Sequence, residues 1–175
     1  MKKIFTLLLV VGLSTYSFSQ DLKYGVHFAT NISNMDYEED GIQSNPHRNG
    51  FVFGAFADFG LTERLAVMTE LQYSPEGANL QYFKTDYINL PIILNYAIVG
   101  GLKLGVGPQL GVKVHKHDDG FKNFAFSGVG FAEYMITDEI GVDFRYLYGI
   151  SNVFDDASPL EARQGVMQFG FTYRL

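Results

Sequence analysis

From Leu22 to Leu175 the chain alternates apolar and polar side chains with a period of two, in eight separate stretches. Successive side chains of an extended strand point to opposite faces, so this period marks strands with one apolar side; a helix would repeat near 3.6. The first stretch sets Leu22, Tyr24, Val26 and Phe28 against Lys23, Gly25, His27, Ala29 and Asn31. The second sets Phe51, Phe53, Ala55, Ala57 and Phe59 against Val52, Gly54, Phe56 and Asp58. In the third, Leu65, Val67, Thr69, Leu71 and Tyr73 oppose Ala66, Met68, Glu70, Gln72 and Ser74. The fourth runs its apolar stripe through Ile88, Leu90, Ile92, Leu94, Tyr96 and Ile98, and the fifth through Leu102, Leu104, Val106, Pro108, Leu110, Val112 and Val114.

In the sixth stretch the apolar face is taken as Phe124, Phe126, Gly128, Gly130, Ala132 and Tyr134, because the alternative face carries Glu133. The seventh places Ile140, Val142, Phe144, Tyr146 and Tyr148 opposite Gly141, Asp143, Arg145, Leu147 and Gly149. The eighth ends the chain with Met167, Phe169, Phe171, Tyr173 and Leu175 on one face and Arg174 on the other. An even number of strands is what a closed antiparallel bacterial barrel requires.

The links between stretches alternate in length. Residues 33–50, 75–86, 115–123 and 149–164 form long polar links, while 60–64, 99–101 and 137–139 form tight turns. Outer-membrane barrels have this asymmetry, with short periplasmic turns and longer outer loops. The expected fold is therefore an all-β, eight-stranded antiparallel up-and-down transmembrane barrel with both termini periplasmic.

Charge and volume decide which face is inside. Nine charged residues, Lys23, Asp58, Glu70, Lys103, Lys113, Glu133, Asp143, Arg145 and Arg174, fall on the polar faces and none falls within the apolar stripes. An Arg or Lys facing lipid near mid-depth costs about 2 to 4 kcal/mol, so a membrane demands that the outer face be clear of charge. The inverted barrel would crowd the phenylalanine and tyrosine rings into an interior only just wide enough for ordinary side chains. With 15% aromatic residues and 19 glycines, rings outside and small residues inside is the arrangement that fits. Tyr24, Tyr96, Tyr134 and Tyr173 then fall near one rim, and Tyr73, Tyr148 and Phe51 near the other, as interfacial girdles. Pro91 and Pro108 lie inside strands, where each removes a ladder donor, so a bulge is expected at each.

The first nineteen residues form a separate segment. Lys2 and Lys3 precede an apolar run from Ile4 to Leu13, and Ser17-Phe18-Ser19 offers a small-x-small cleavage site. The expected division is a signal peptide over 1–19 and a barrel domain over 20–175. No cysteine is present, which removes disulfides, thiol catalysis and a lipid-anchored N-terminus. A net charge of −6 with no basic patch excludes nucleic acid as a partner.

Three segments carry a family resemblance: Tyr87-Ile88-Asn89-Leu90-Pro91, Gly105-Val106-Gly107-Pro108-Gln109-Leu110-Gly111, and Phe169-Gly170-Phe171-Thr172-Tyr173-Arg174-Leu175. Over essentially the whole mature chain the sequence resembles the PorT-like outer-membrane β-barrel family. The resemblance implies an eight-stranded barrel inserted by the outer-membrane assembly machinery. It also implies an assembly signal in the last strand, here Phe169, Phe171, Tyr173 and Leu175. Family members include a link to protein secretion, which no residue of this chain carries over.

Candidate chemistry is sparse. His27, His115, His117 and Ser127, with Glu133, are the residues from which a lipid-modifying site could be built, yet no nucleophile motif surrounds Ser127. His115 and His117 share a strand face, but Lys116 between them and Gly120 beyond point to a solvated loop tip and not a metal site. The acidic run Asp36-Tyr37-Glu38-Glu39-Asp40 reads as a solvated loop that could gather divalent cations near lipopolysaccharide. No cofactor is expected.

Inside the barrel, Glu70, Lys103, Glu133, Asp143, Arg145 and Arg174 are expected to pair across a narrow lumen, because an unpaired buried ion is costly. That network predicts a plugged polar lumen, and with it a non-enzymatic barrel whose outer loops serve structural or interaction roles. The alternatives are a small channel or secretion-apparatus component, and a lipid-modifying enzyme. The expected surroundings are outer-membrane lipid and lipopolysaccharide, with an extracellular or secretion partner met through the long loops. Phe171→Arg is expected to destabilise, and Thr172→Arg, on the lumen face, to be milder.

Overall fold

The computed structural model describes residues 22–37, 47–78, 84–114, 120–154 and 162–175. The signal-peptide segment, His115, His117 and residues 38–40 of the acidic run lie outside the described residues. Eight strands are present: β1 (Leu22–Tyr37), β2 (Arg48–Gly60), β3 (Leu65–Gly77), β4 (Lys84–Val99), β5 (Leu102–Lys113), β6 (Phe124–Met135), β7 (Ile140–Gly149) and β8 (Ala162–Arg174). Each pairs antiparallel with the next, and β8 pairs back onto β1, so the sheet closes into a barrel. Among the described residues no helix is long and apolar enough to cross a membrane.

The faces follow the period-two pattern. Phe28, Phe53, Leu71, Leu94, Leu110, Phe126, Tyr146 and Phe169, one from each strand, are all exposed. Their polar-face neighbours His27, Glu70, Asn95, Gln109 and Gln168 are buried. The sixth strand agrees: Phe124, Phe126 and Tyr134 point out, while Val129, Phe131 and Glu133 point in. Water would not tolerate a continuous belt of exposed aromatic and aliphatic side chains of this extent, whereas hydrocarbon does. Charges on outward strand positions are confined to the loop-bearing rim, at Asp36, Lys84, Asp86 and Arg163.

Three short turns define one end of the barrel, here called the turn end. Gly100 and Gly101, at φ 58° and 86°, make the two-residue β4–β5 hairpin. Two successive positive φ angles give the turn whose twist matches its strands, and glycine adopts them without strain. The other two turns repeat one device. Thr62 Oγ1 accepts from the amides of Arg64 and Leu65, at 3.3 and 2.9 Å. Thr137 Oγ1 accepts from those of Glu139 and Ile140, at 3.3 and 3.0 Å.

Two expectations are corrected. Neither proline sits in a bulge: Pro91 keeps Gln109 as its β5 partner, Pro108 keeps Gly128 on β6, and the register on either side of each is unbroken. The ladder lapses on one side only, towards β3 at Pro91 and towards β4 at Pro108. At each proline two residue pairs drop out of that one ladder, and the spacing beyond them is intact. The irregularity in the β4–β5 pair falls instead at Ala97/Val99, beside the glycine turn.

The long links are also shorter than the polar sequence suggested. β1 runs on to Tyr37, β2 starts at Arg48, β3 ends at Gly77, β4 starts at Lys84 and β8 starts at Ala162. Above the apolar belt both strand faces meet polar surroundings, so polarity there no longer distinguishes strand from loop.

Candidate functional site in the lumen

The lumen charges form two clusters at different depths. In the deeper one, Arg145 on β7 reaches Glu70 on β3, Nη1 to Oε2 at 2.7 Å, and its Nε donates to Asp143 Oδ1 at 2.9 Å. β7 and β3 stand four strands apart in a ring of eight, so this ion pair spans the diameter of the barrel. His27 on β1 lies between the two carboxylates, with Nδ1 at 2.8 Å from Glu70 Oε1 and Nε2 at 3.1 Å from Asp143 Oδ2. All four side chains are buried. The Arg145 guanidinium also lies over the Phe131 ring, 5.5 Å from its centroid.

Glycine makes room for this cluster. A Cβ on Gly170 would collide with His27 Nε2 and Asp143 Oδ2, and one on Gly54 would come to 2.5 Å of Glu70 Oε1. Both glycines occupy lumen-facing positions beside long charged side chains, where any larger residue would displace an ion.

The second cluster lies towards the turn end. Arg174 Nη2 meets Glu133 Oε2 at 2.6 Å, and Thr172 Oγ1 donates to Glu133 Oε1 at 2.8 Å. Lys103 Nζ stands 3.4 Å from both Asp58 Oδ2 and Glu133 Oε2. Arg174 covers the Phe56 ring at 5.4 Å. Beyond this cluster a cavity of about 440 Å³ opens at the turn end, lined by Lys23, Asp58, Arg64, Asn95 and Lys103 among others.

At the loop end the contacts change character. Arg48 Nη2 pairs with Asp86 Oδ1 at 2.8 Å, while its Nη1 donates to the Glu76 and Thr85 carbonyls at 2.6 and 3.1 Å. Ser33 Oγ both donates to the Gly77 carbonyl and accepts from the Gly77 amide, each at 2.9 Å. Asn31 Nδ2 donates to the Pro75 carbonyl at 2.5 Å. Apart from the Arg48 contacts with Thr85 and Asp86 on β4, these side chains serve β3 backbone groups beyond Phe53↔Tyr73, the last β2–β3 strand pair. Phe121 and Phe154 stack at 5.2 Å and join Met35, Val153 and Ala162 in a buried apolar cluster over this mouth.

The six expected lumen residues are thus divided, with Glu70, Asp143 and Arg145 in one cluster and Lys103, Glu133 and Arg174 in the other. Asp58 joins the second. His27, considered from sequence as a catalytic candidate, is enclosed by carboxylates. Ser127 sits on β6, half-buried, and is not brought against His27, while Glu133 is engaged by Arg174. Glu76, buried and bonded by Asn89 Nδ2 at 2.6 Å, is a lumen residue that the sequence does not single out, because the polar run 75–86 reads as a link between strands. The lumen is also less polar than expected: Phe56, Met68, Ile93, Val129, Phe131, Leu147 and Val166 form an apolar cluster inside it. Thr172 is fully buried against Glu133, so the expectation that Thr172→Arg is mild does not hold; the extra length would meet Arg174 and Glu133.

A closed ring of eight antiparallel strands, apolar outside and ionic within, defines a small integral membrane β-barrel of the outer-membrane type. The chain belongs to the family described as the outer membrane protein beta-barrel domain, which it matches over residues 5–174. The crystal structure of Neisserial surface protein A is similar at TM-score 0.56 and 14% identity, covering 87% of this chain and 97% of that one. The attachment invasion locus protein of Yersinia pestis is similar at TM-score 0.56 and 12% identity, over 87% and 98% of the two chains. At such identities the likeness is one of fold. No curated protein matches the chain.

Proposed function

We propose that the protein is a non-enzymatic outer-membrane barrel with an occluded lumen, acting through its loop-end surface in a structural or interaction role. The observation that carries this reading is the Arg145–Glu70 pair across the full width of the barrel. Buried ions so engaged leave no continuous aqueous path at that depth, and the Phe121–Phe154 stack adds an apolar layer at the loop mouth. The turn end and both termini face the periplasm, the loop end faces outward, and cleavage after Ser19 yields the mature chain. The PorT-like segments support placement in that branch of the family. The outward side chains of Phe169, Phe171, Tyr173 and Leu175 supply the strand that the assembly machinery recognises. Lipid and lipopolysaccharide surround the belt, and Lys84 and Arg163 lie at the level of the outer headgroups.

Planar-bilayer recordings of the purified, refolded protein test the occlusion. The expected trace shows no steady conductance; a large, stable open level overturns the reading and favours the small-channel or secretion-component alternative, for which the turn-end cavity would be the mouth.

A further inference from the structure

The cavity of about 440 Å³ at the turn end is lined by charges of both signs with one in excess. Lys23, Arg64 and Lys103 border it together with the carboxylates of Asp58 and Glu63, three cations to two anions. Behind it the Arg174–Glu133 pair is balanced and adds no net charge. Leu61, Ala66 and Ala97 supply apolar wall between these groups. Small-molecule sites commonly span about 300 to 1,000 Å³ and combine apolar wall with a few placed polar groups. A concave site with low-dielectric walls also concentrates the field of its excess charge, here positive.

Two of the cations have donors to spare. Lys103 Nζ stands 3.4 Å from both Asp58 Oδ2 and Glu133 Oε2, and an ammonium carries three N–H groups, so one remains. Its side chain is 19% exposed, against 6% and 1% for those carboxylates, which makes it the open member of the cluster. Arg64 is pinned through its backbone alone: its amide donates to Thr62 Oγ1, and its carbonyl accepts from the Ala97 amide at 2.7 Å. Its guanidinium pairs with no carboxylate among the described residues. The matching turn shows that the fold does not require a cation there. Glu139 takes the same place, with its amide on Thr137 Oγ1 and its carbonyl accepting from the Arg174 amide at 2.7 Å. Ala97 brings the two cations to one spot, since it holds the Arg64 carbonyl and is the β5 cross-strand partner of Lys103.

We propose that this cavity binds a small organic anion, a single carboxylate carried on a short apolar body. The planar fork of Arg64 matches the two oxygens of a carboxylate, and Lys103 adds a further charged donor. One negative charge cancels the excess in the lining, whereas a cation would add to it. The apolar body lies against Leu61, Ala66 and Ala97. The site is independent of occlusion: it lies on the turn-end side of the Arg174–Glu133 pair, so it exists whether or not ions cross the barrel.

Methyl NMR of the barrel in nanodiscs of neutral phosphatidylcholine tests it, with benzoate as the probe and uncharged benzamide as its isostere. Expected are saturable shifts at the Ala66 and Ala97 methyls with benzoate and none with benzamide. Arg64→Gln should weaken benzoate about tenfold, the worth of a lost charge-assisted hydrogen bond. Lys122→Gln, which removes a cation at the loop end, should leave the affinity unchanged. Absence of saturable shifts in the unaltered protein overturns the proposal, as does an equal response to benzamide, and neither result depends on a variant folding. An affinity that is the same in Arg64→Gln also overturns it.

Discussion

Gly170 on β8 lies beneath the contact between His27 and Asp143, so close that a single added methyl would displace both. The absence of a side chain at this position is what lets β1 and β7 exchange an ionic contact across the strand that separates them.

Gly170→Ala is expected to destabilise the barrel by about 1 to 3 kcal/mol, the usual cost of forcing extra volume into a filled interior. Gly130, whose added Cβ would meet nothing nearer than 3.9 Å, is the control, and Gly130→Ala should leave stability unchanged or slightly raised. Urea unfolding in lipid vesicles measures both. Equal midpoints would show that the His27–Asp143 contact does not depend on the space over Gly170.

Arg145→Met removes the cation facing two buried carboxylates, and breaking a buried pair in this way typically costs about 3 to 5 kcal/mol. Adding Glu70→Met should recover part of the loss, because it removes one stranded anion and leaves His27 facing Asp143 alone. Simple additivity of the two substitutions in a double-mutant cycle would mean that Arg145 and Glu70 are not energetically coupled.

Phe169 lies midway along β8 on the outer face, with its ring 5.0 Å from that of Phe144. Phe169→Arg puts a guanidinium against hydrocarbon and should cost about 2 to 4 kcal/mol. Phe169→Leu should cost far less. Refolding yield into bilayers checks it: a Phe169→Arg penalty no larger than that of Phe169→Leu argues against lipid contact at this position.

The two threonine turns predict a pair of matched effects. Thr62→Val and Thr137→Val each remove an oxygen that accepts two backbone amides, at an expected cost of about 1 kcal/mol apiece. As the turns sit in separate hairpins, the double variant should show the sum. Amide hydrogen exchange at Leu65 and Ile140 should speed up locally in the corresponding variant only.

The strands and their faces were legible because lipid imposes one rule on every outward position, and Phe28, Phe53, Leu94 and Phe169 all obey it. The rule stops where the belt stops. Arg48, Glu76 and Asp86 lie on strand extensions beyond it, where alternation no longer separates strand from loop, and their contacts were invisible in the sequence. The partners of the lumen ions were equally hidden. That Arg145 meets Glu70 and not Glu133 depends on how far each strand is staggered around the ring, which no local pattern records. Pro91 and Pro108 misled in the opposite sense, since the missing amide of each leaves a gap in one ladder and no change of spacing.

The ladder that shuts the ring is also the longest run of pairs, from Gly25↔Arg174 to Tyr37↔Ala162. It joins the two ends of the barrel sequence, the most distant partners in the chain, and so carries the largest entropic penalty for being brought together. Until that zipper engages, two raw edges compete for any other strand in reach, and nothing holds the central ions in place. Insertion should therefore proceed as a single late commitment, in which sealing the first strand to the last and fixing the interior happen together.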